Sequence, residues 1–132
     1  MAGETDLALL LRNMRAELRS GAYVIVSIAG PPPVGADVEA LVREDEATTL
    51  VMLQEEADKY GLEYEFVAAW ITLNVHSALE AVGFTAAFSA ALASAGMSCN
   101  VLAGYFHDHI LVRSEDAAEA LQVLTSLSAG GN

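Results

Sequence analysis

From Ala81 to Phe106 the chain carries no charged residue. An uncharged run of that length either crosses a bilayer as one helix or is folded away inside a protein. Gly83, Gly96 and Gly104 interrupt it, and Thr85, Ser89, Ser94, Ser98 and Asn100 place polar groups along it. Ala95-Gly96 reads as a helix stop followed by a strand. The run is therefore predicted to be a helix over 82–95 and a strand over 98–105, with no membrane span.

The flanks of this run extend the pattern. Phe84, Phe88 and Leu92 recur at i, i+4 and i+8, with Ala87, Ala91 and Ala95 beside them, so the helix can approach a sheet closely. Before it, residues 64–75 (YEFVAAWITLNV) read as a strand longer than usual, with two functional halves. In its second half Ile71, Leu73 and Val75 share one face, and Trp70, Thr72, Asn74 and His76 the other. A strand at 109–113 follows, then a helix capped by Ser114 whose Ala117, Leu121, Leu124 and Leu127 face inward. Glu115 and Asp116 suit its positive end. The second half thus spells β-α-β-β-α, a split βαβ unit with an antiparallel sheet and both helices on one face. Too little chain follows Leu127 for a closing strand, so a strand from the first half is expected to complete that edge.

The first half begins with a helix capped by Thr5 or Asp6 and carrying Leu7, Leu10, Leu11, Met14 and Leu18 inward, until Ser20-Gly21 ends it. Residues 22–28 (AYVIVSI) form a central strand. Gly30-Pro31-Pro32-Pro33 forces a loop, because proline donates no ladder hydrogen bond. Strands at 41–44 and 48–53 join through a turn at Asp45-Glu46, and a brief helix over 54–60 stops at Gly61. The fold class expected is α+β, with two lobes fused as one compact unit, 1–63 and 64–132.

Composition narrows the function. Eighteen acidic residues face six basic ones, a formal charge of −12, and Lys59 is the one lysine. Arg12, Arg15 and Arg19 lie close together but alternate with Glu17, as the polar side of a helix does. Phosphate neutralisation needs clustered cations, so no nucleic acid and no anionic membrane surface is an expected partner. Cys99 stands alone and no glycosylation acceptor is present, which points to a cytoplasmic setting. The start, MAGETDLALLLR, is too acidic and its apolar run too short for a signal peptide.

The stretch Tyr105-Phe106-His107-Asp108-His109-Ile110-Leu111-Val112 brings two histidines around a carboxylate. On a strand, His107 and His109 point to one face and reach a cation, with His76 a third ligand. Placed between two strands, 106–108 is instead a hairpin turn, or His107, Asp108 and His109 contact an organic ligand. These readings stay open on the residues alone. His76-Ser77 and the His-Asp-His stretch supply residue types for nucleophilic chemistry, but nothing like G-x-S-x-G surrounds Ser77. Cys99 in an apolar strand reads as structural, and Trp70 as core or interface.

The segments ITLNVHSALEAVGFTAAFSAALASAGMSCNVLAGYFHDHILV and SEDAAEALQVL resemble the ACT-domain superfamily. The matching motifs are the V-G-F-T opening of the helix, the A-G-M-S-C-N turn and the turn ending I-L-V. The nearest resemblance is to small bacterial ACT-domain proteins of unassigned function, with a similar pattern in the ACT lobes of cytosolic arginine sensors. The N-terminal lobe, with a proline loop in place of its first helix, matches in outline. The resemblance implies ferredoxin-like βαββαβ lobes that bind an amino acid or related metabolite, with no catalytic residue, no metal and no cofactor. It places the ligand near the loop His76, Ser77, Ala78, Leu79, Glu80, Ala81, Val82 and Gly83, continuing into Phe84 and Thr85, and near a facing strand that starts at Asn100 and Val101.

Physical chemistry bears on the same loop. A helix N-terminus offers free N–H groups to a carboxylate, Gly83 admits close approach, Thr85 adds a hydroxyl, and Glu80 or Asp108 can receive an ammonium. The bland alternative is that Gly83 serves helix packing and Glu80 is a solvated acid. The resulting expectation is a non-catalytic small-molecule sensor, a homodimer whose Trp70 face is covered. Its alternatives are an ACT interaction module without ligand and a metal-dependent enzyme using His76, His107 and His109.

Overall fold

A computed structural model of the chain describes residues 3–130. Its contacts divide the chain into two units: Ser20–Ala68, and a second built from Met1–Arg19 together with Ala69–Asn132. The N-terminal residues thus belong with the C-terminal half.

In the second of these units, α1 (Leu7–Asn13) begins at Asp6, whose Oδ1 accepts from the Leu9 N–H at 3.1 Å. The expected helix through Leu18 stops early. Residue 14 is extended, and Arg15–Leu18 forms a strand, β1. Leu18, expected inward, is 46% exposed. The Leu7, Leu10, Leu11, Met14 spacing carries helix only that far, and beyond it the backbone gains ladder bonds to a distant strand, which outweigh local propensity. The freed carbonyls are met: Ser128 Oγ donates to Met14 O at 2.9 Å, and the Arg15 guanidinium donates to the same oxygen at 3.1 Å.

The Ser20–Ala68 unit contains β2 (Tyr23–Ile28), β3 (Ala40–Arg43), β4 (Thr48–Leu53) and α2 (Gln54–Lys59), followed by the start of β5 (Val67–Asn74). β2 pairs antiparallel with β4, from Tyr23 opposite Leu53 to Ile28 opposite Thr48, and β4 with β3. Val67 and Ala68 pair with β2, giving the order β3-β4-β2-β5. The proline loop stands where a first helix would. It is pinned by the Asp37 N–H donating to Glu56 Oε2 at 2.8 Å and by the Glu39 N–H donating to Val51 O at 2.8 Å. Val24, Val26, Leu50, Met52 and Ala57 make this unit's core.

The remainder of β5 belongs to the other unit, followed by α3 (Phe84–Ser94), β6 (Asn100–Ala103), β7 (Asp108–Arg113) and α4 (Ala117–Ser128). The strand order is β1-β5-β7-β6, and β1 pairs antiparallel with β5 from Arg15 opposite Asn74 to Leu18 opposite Ile71. The strand that completes the edge is therefore β1. This is a ferredoxin-like arrangement of the α+β class, with the closing strand first in sequence. Ile71, Leu73, Ile110 and Val112 meet Phe84, Phe88, Leu92 and Leu124 in one core, joined by Leu10 and Met14. α4 begins after a 3₁₀ turn at Ser114–Asp116 rather than at a Ser114 cap. Its buried centre is Ala120 with Leu124, flanked by Ala117, Leu121 and Leu127.

The uncharged run becomes a loop, α3, a turn, β6 and a hairpin tip. Among the described residues no helix is long and apolar enough to cross a membrane. Phe88 is fully buried, with its ring 5.2 Å from that of Phe84 in an edge-on contact. Phe88→Ala is expected to lower unfolding stability by about 3–5 kcal/mol, read as a shift of the urea midpoint.

Candidate functional site

The N-terminal residues meet the loop after β5. Glu4 and Ser77 form a parallel bridge: the Glu4 N–H donates to His76 O at 2.8 Å, and the Ala78 N–H donates to Glu4 O at 3.0 Å. Gly3 is required there, since a Cβ at that position would lie 2.6 Å from Ala78 N and 2.7 Å from His76 O. Beside this bridge lies a cleft of about 270 Å³ lined by Gly3, Thr5, His76, Ala78, Leu79, Glu80 and Tyr105. Glu80 and Leu79 are exposed, and Tyr105 is 61% exposed.

The expected site residues divide. His76, Leu79 and Glu80 line the cleft, while Ser77 is buried under the bridge with its Oγ donating to Ala78 O at 3.3 Å. Ala81 is half-buried against the core and Val82 is 84% exposed. Gly83 caps α3 in a left-handed conformation, φ 97°. What approaches it closely is Leu7 of α1, whose Cδ2 would be 3.2 Å from a Cβ. Phe84 is core, Thr85 exposed with its carbonyl accepting from Ser89 Oγ at 2.7 Å. Asn100 and Val101 pair with Leu111 and Ile110 at the outer strand, and the Asn100 side chain donates to Leu111 O at 3.4 Å. None of these last residues lines the cleft. Gly3, Thr5 and Tyr105 do, and sequence reasoning missed them because a bridge from residue 4 to residue 77 leaves no local signal.

The His-Asp-His stretch lies one residue out of its expected register. The hairpin turn is 104–107, closed by the Gly104 N–H donating to His107 O at 3.0 Å, and Asp108 already pairs with Ala103 in the ladder. His107 Nδ1 lies 3.3 Å from Val75 O, and the His76 ring packs on Phe106 with centroids 5.4 Å apart. Burial pushes the Asp108 carboxyl above its usual value, partly opposed by His107. Among the described residues no group of three or more His, Cys, Asp or Glu side chains is placed to hold a metal ion. Cys99 is a half-buried thiol pushed up by desolvation, which suits a structural role.

His109 turns toward the opposite face of β5. Its Nδ1 is 2.9 Å from Thr72 Oγ1, which accepts from Trp70 Nε1–H at 3.2 Å, and the Arg19 guanidinium lies 4.1 Å from the Trp70 ring centre. Indole only donates, so the relay runs most simply from Trp70 to Thr72 to an unprotonated His109 Nδ1. Protonation reverses the last bond and leaves the Thr72 hydrogen to find another acceptor. Desolvation, then the positive charges of Arg19 and His107, hold His109 below the usual imidazole value.

Residues 2–69 match one ACT domain model and residues 65–126 match another. The chain belongs to the ACT-domain family. Among solved structures, this ACT protein is 46% identical to a Vibrio cholerae protein of unknown function described as a possible transport protein, over 92% of this chain and 95% of that one, with a TM-score of 0.85. A protein from Agrobacterium tumefaciens is 20% identical over 87% and 89%, with a TM-score of 0.69. The regulatory subunit of aspartate kinase from Thermus thermophilus, in ligand-free form, is 12% identical over 89% and 97%, with a TM-score of 0.65. The last two likenesses concern the fold. No protein of curated function matches the sequence.

The lowered value of His109 sets a direction for pH. The unfolded state takes up the proton first, so the contribution of His109 to stability is complete above about 6.5 and is lost as pH falls through the folded-state value. Asp108 has the opposite sign: its contribution is complete below 3.8 and lost as pH rises through its folded-state value. His109→Gln is expected to reduce the loss of urea stability between about pH 7.5 and about pH 5.5, measured against the unmodified chain.

Proposed function

We propose that this ACT protein is a non-catalytic regulator that binds a small zwitterion, an amino acid or a close relative, in the cleft beside His76 and Glu80. The observation that carries the reading is the cleft itself, which gathers a carboxylate, an imidazole, a hydroxyl and an aromatic ring around about 270 Å³. Glu80 receives the ammonium, Thr5 and His76 offer hydrogen bonds to the carboxylate, and Tyr105 covers the side chain. Asp108 is not needed. We assign the protein to the cytoplasm, where such metabolites are sensed. Membership of the ACT family and a fold shared with a kinase regulatory subunit support this reading.

A second reading is favoured by two specific contacts. Leu7 covers Gly83, and Glu4 takes up the backbone groups of His76 and Ala78. On that reading the chain's own N-terminal residues stand where a ligand would approach the loop, and the protein is an ACT interaction module. A thermal-shift panel of the twenty amino acids separates the two. At saturating concentration one of them is expected to raise the midpoint by mass action, and Glu80→Gln with Tyr105→Ala to abolish the rise. No shift with any amino acid would leave the interaction module standing, whereas a zinc or nickel shift removed by His107→Ala would favour a metal site.

A homodimer accompanies the proposal, but not through the Trp70 face expected from the sequence, because Trp70 is only 3% exposed in the single chain. β3 ends the strand order of its unit and exposes Leu41 at 40% and Val42 at 49%, and an apolar edge strand is a template for a second copy. Sedimentation equilibrium is expected to show a dimer, dispersed by Val42→Lys; a monomer at high concentration would remove this part.

A further inference from the structure

α1, α3 and α4 leave a groove between them, separate from the cleft at His76, with a volume of about 1000 Å³. Leu7 and Leu11 of α1, Ala87 and Ala91 of α3 and Leu127 of α4 supply its apolar lining. The alanines matter because a methyl group fills so little of the space between helices. Among the described residues, Arg12, in the last turn of α1, is the one charged residue of the lining, and no aromatic ring contributes to it. Arg12 forms no ion pair among the described residues.

We propose that this groove binds an amphipathic monoanion, an aliphatic chain ending in a carboxylate, of the fatty-acid class. The volume lies at the upper end of the range for small-molecule pockets, which are mostly apolar with a few polar groups that fix orientation. Without an aromatic ring the groove offers no stacking partner to a planar ligand, while methyl and isobutyl groups suit a flexible alkyl chain. Charge then chooses the head group. In a chain of formal charge −12, the surface as a whole repels an anion, and the Arg12 guanidinium, without an ion pair among the described residues, gives a carboxylate a place to dock at an apolar groove. A second copy of the chain fits less well. A two-fold contact sets the same residues against each other, and the described lining residues hold no side-chain carboxylate to receive Arg12.

Isothermal titration with decanoate, 1-decanol and decyltrimethylammonium tests this. Decanoate is expected to bind at one site, at least tenfold more tightly than the ammonium compound. Arg12→Gln is expected to weaken decanoate about tenfold, a loss near the 1.4 kcal/mol that a tenfold change represents, and to leave decanol unchanged. Ala90→Leu, at an exposed position of the same lining, and Ala91→Phe are expected to abolish binding of all three while circular dichroism stays native. If Ala91→Phe alone unfolds the chain, Ala90→Leu carries the test. The proposal is overturned by an absence of decanoate binding, by equal affinity for the two charged head groups, or by binding that survives Ala90→Leu. It is also overturned if Ala91→Phe breaks a dimer while decanoate leaves that dimer untouched, which would make the groove a contact between copies.

Discussion

The pairing of β1 with β5 is the interaction on which the C-terminal module rests. Arg15 to Leu18 run against Asn74 to Ile71, and without them β5 would present an open ladder on that edge from Ile71 onward. The same short strand sets the position of α1, since Met14 leads directly into it. From there Leu10 and Met14 enter the core beneath Phe84, Phe88 and Leu124. The Ser128 hydroxyl, bonded to Met14 O, ties the end of α4 to the same point. One strand of four residues therefore organises one edge of the sheet, a helix and the last turn of another helix.

Much of this architecture was legible in the sequence, for a physical reason. Phe84, Phe88 and Leu92 repeat at the helical period and are the residues of α3 that the core takes up. Ile71 and Leu73 alternate with Thr72 and Asn74 at the strand period, and burial follows that alternation along the second half of β5. The proline loop could not be helix or inner strand, and it is neither. What escaped was set by partners far away in the chain. Residues 15–18 have acceptable helical spacing, and only the free edge of β5 makes them a strand. The hairpin was placed late, at 106–108 instead of 104–107, because Asp108 is a common turn residue, whereas the turn is closed by Gly104 and His107.

The candidate site shows the same division more sharply. His76, Leu79 and Glu80 were identifiable because they sit in the loop between a strand and a glycine-opened helix. Thr5 and Tyr105 were not, since nothing near them in sequence announces that they meet that loop. Gly83 was read either as room for a ligand or as a glycine that serves helix packing, and in the fold the atom nearest to it belongs to Leu7. A glycine with positive φ declares that something comes close. It does not declare what.

The division of the chain also has a consequence for the order of synthesis. Residues 7–18 emerge from the ribosome early, yet β5, α3 and α4, their partners, emerge late. The Ser20–Ala68 segment has its own hydrophobic core and can collapse while those first residues still wait. The wait is tolerable because loop-closure entropy rises only slowly with the length of the intervening chain, but contacts of such separation slow the final step. During that interval the apolar face of α1, with Leu7, Leu10 and Leu11, remains unsatisfied. Arg12, in the last turn of α1, and Arg15 just beyond it set positive charge beside that waiting face.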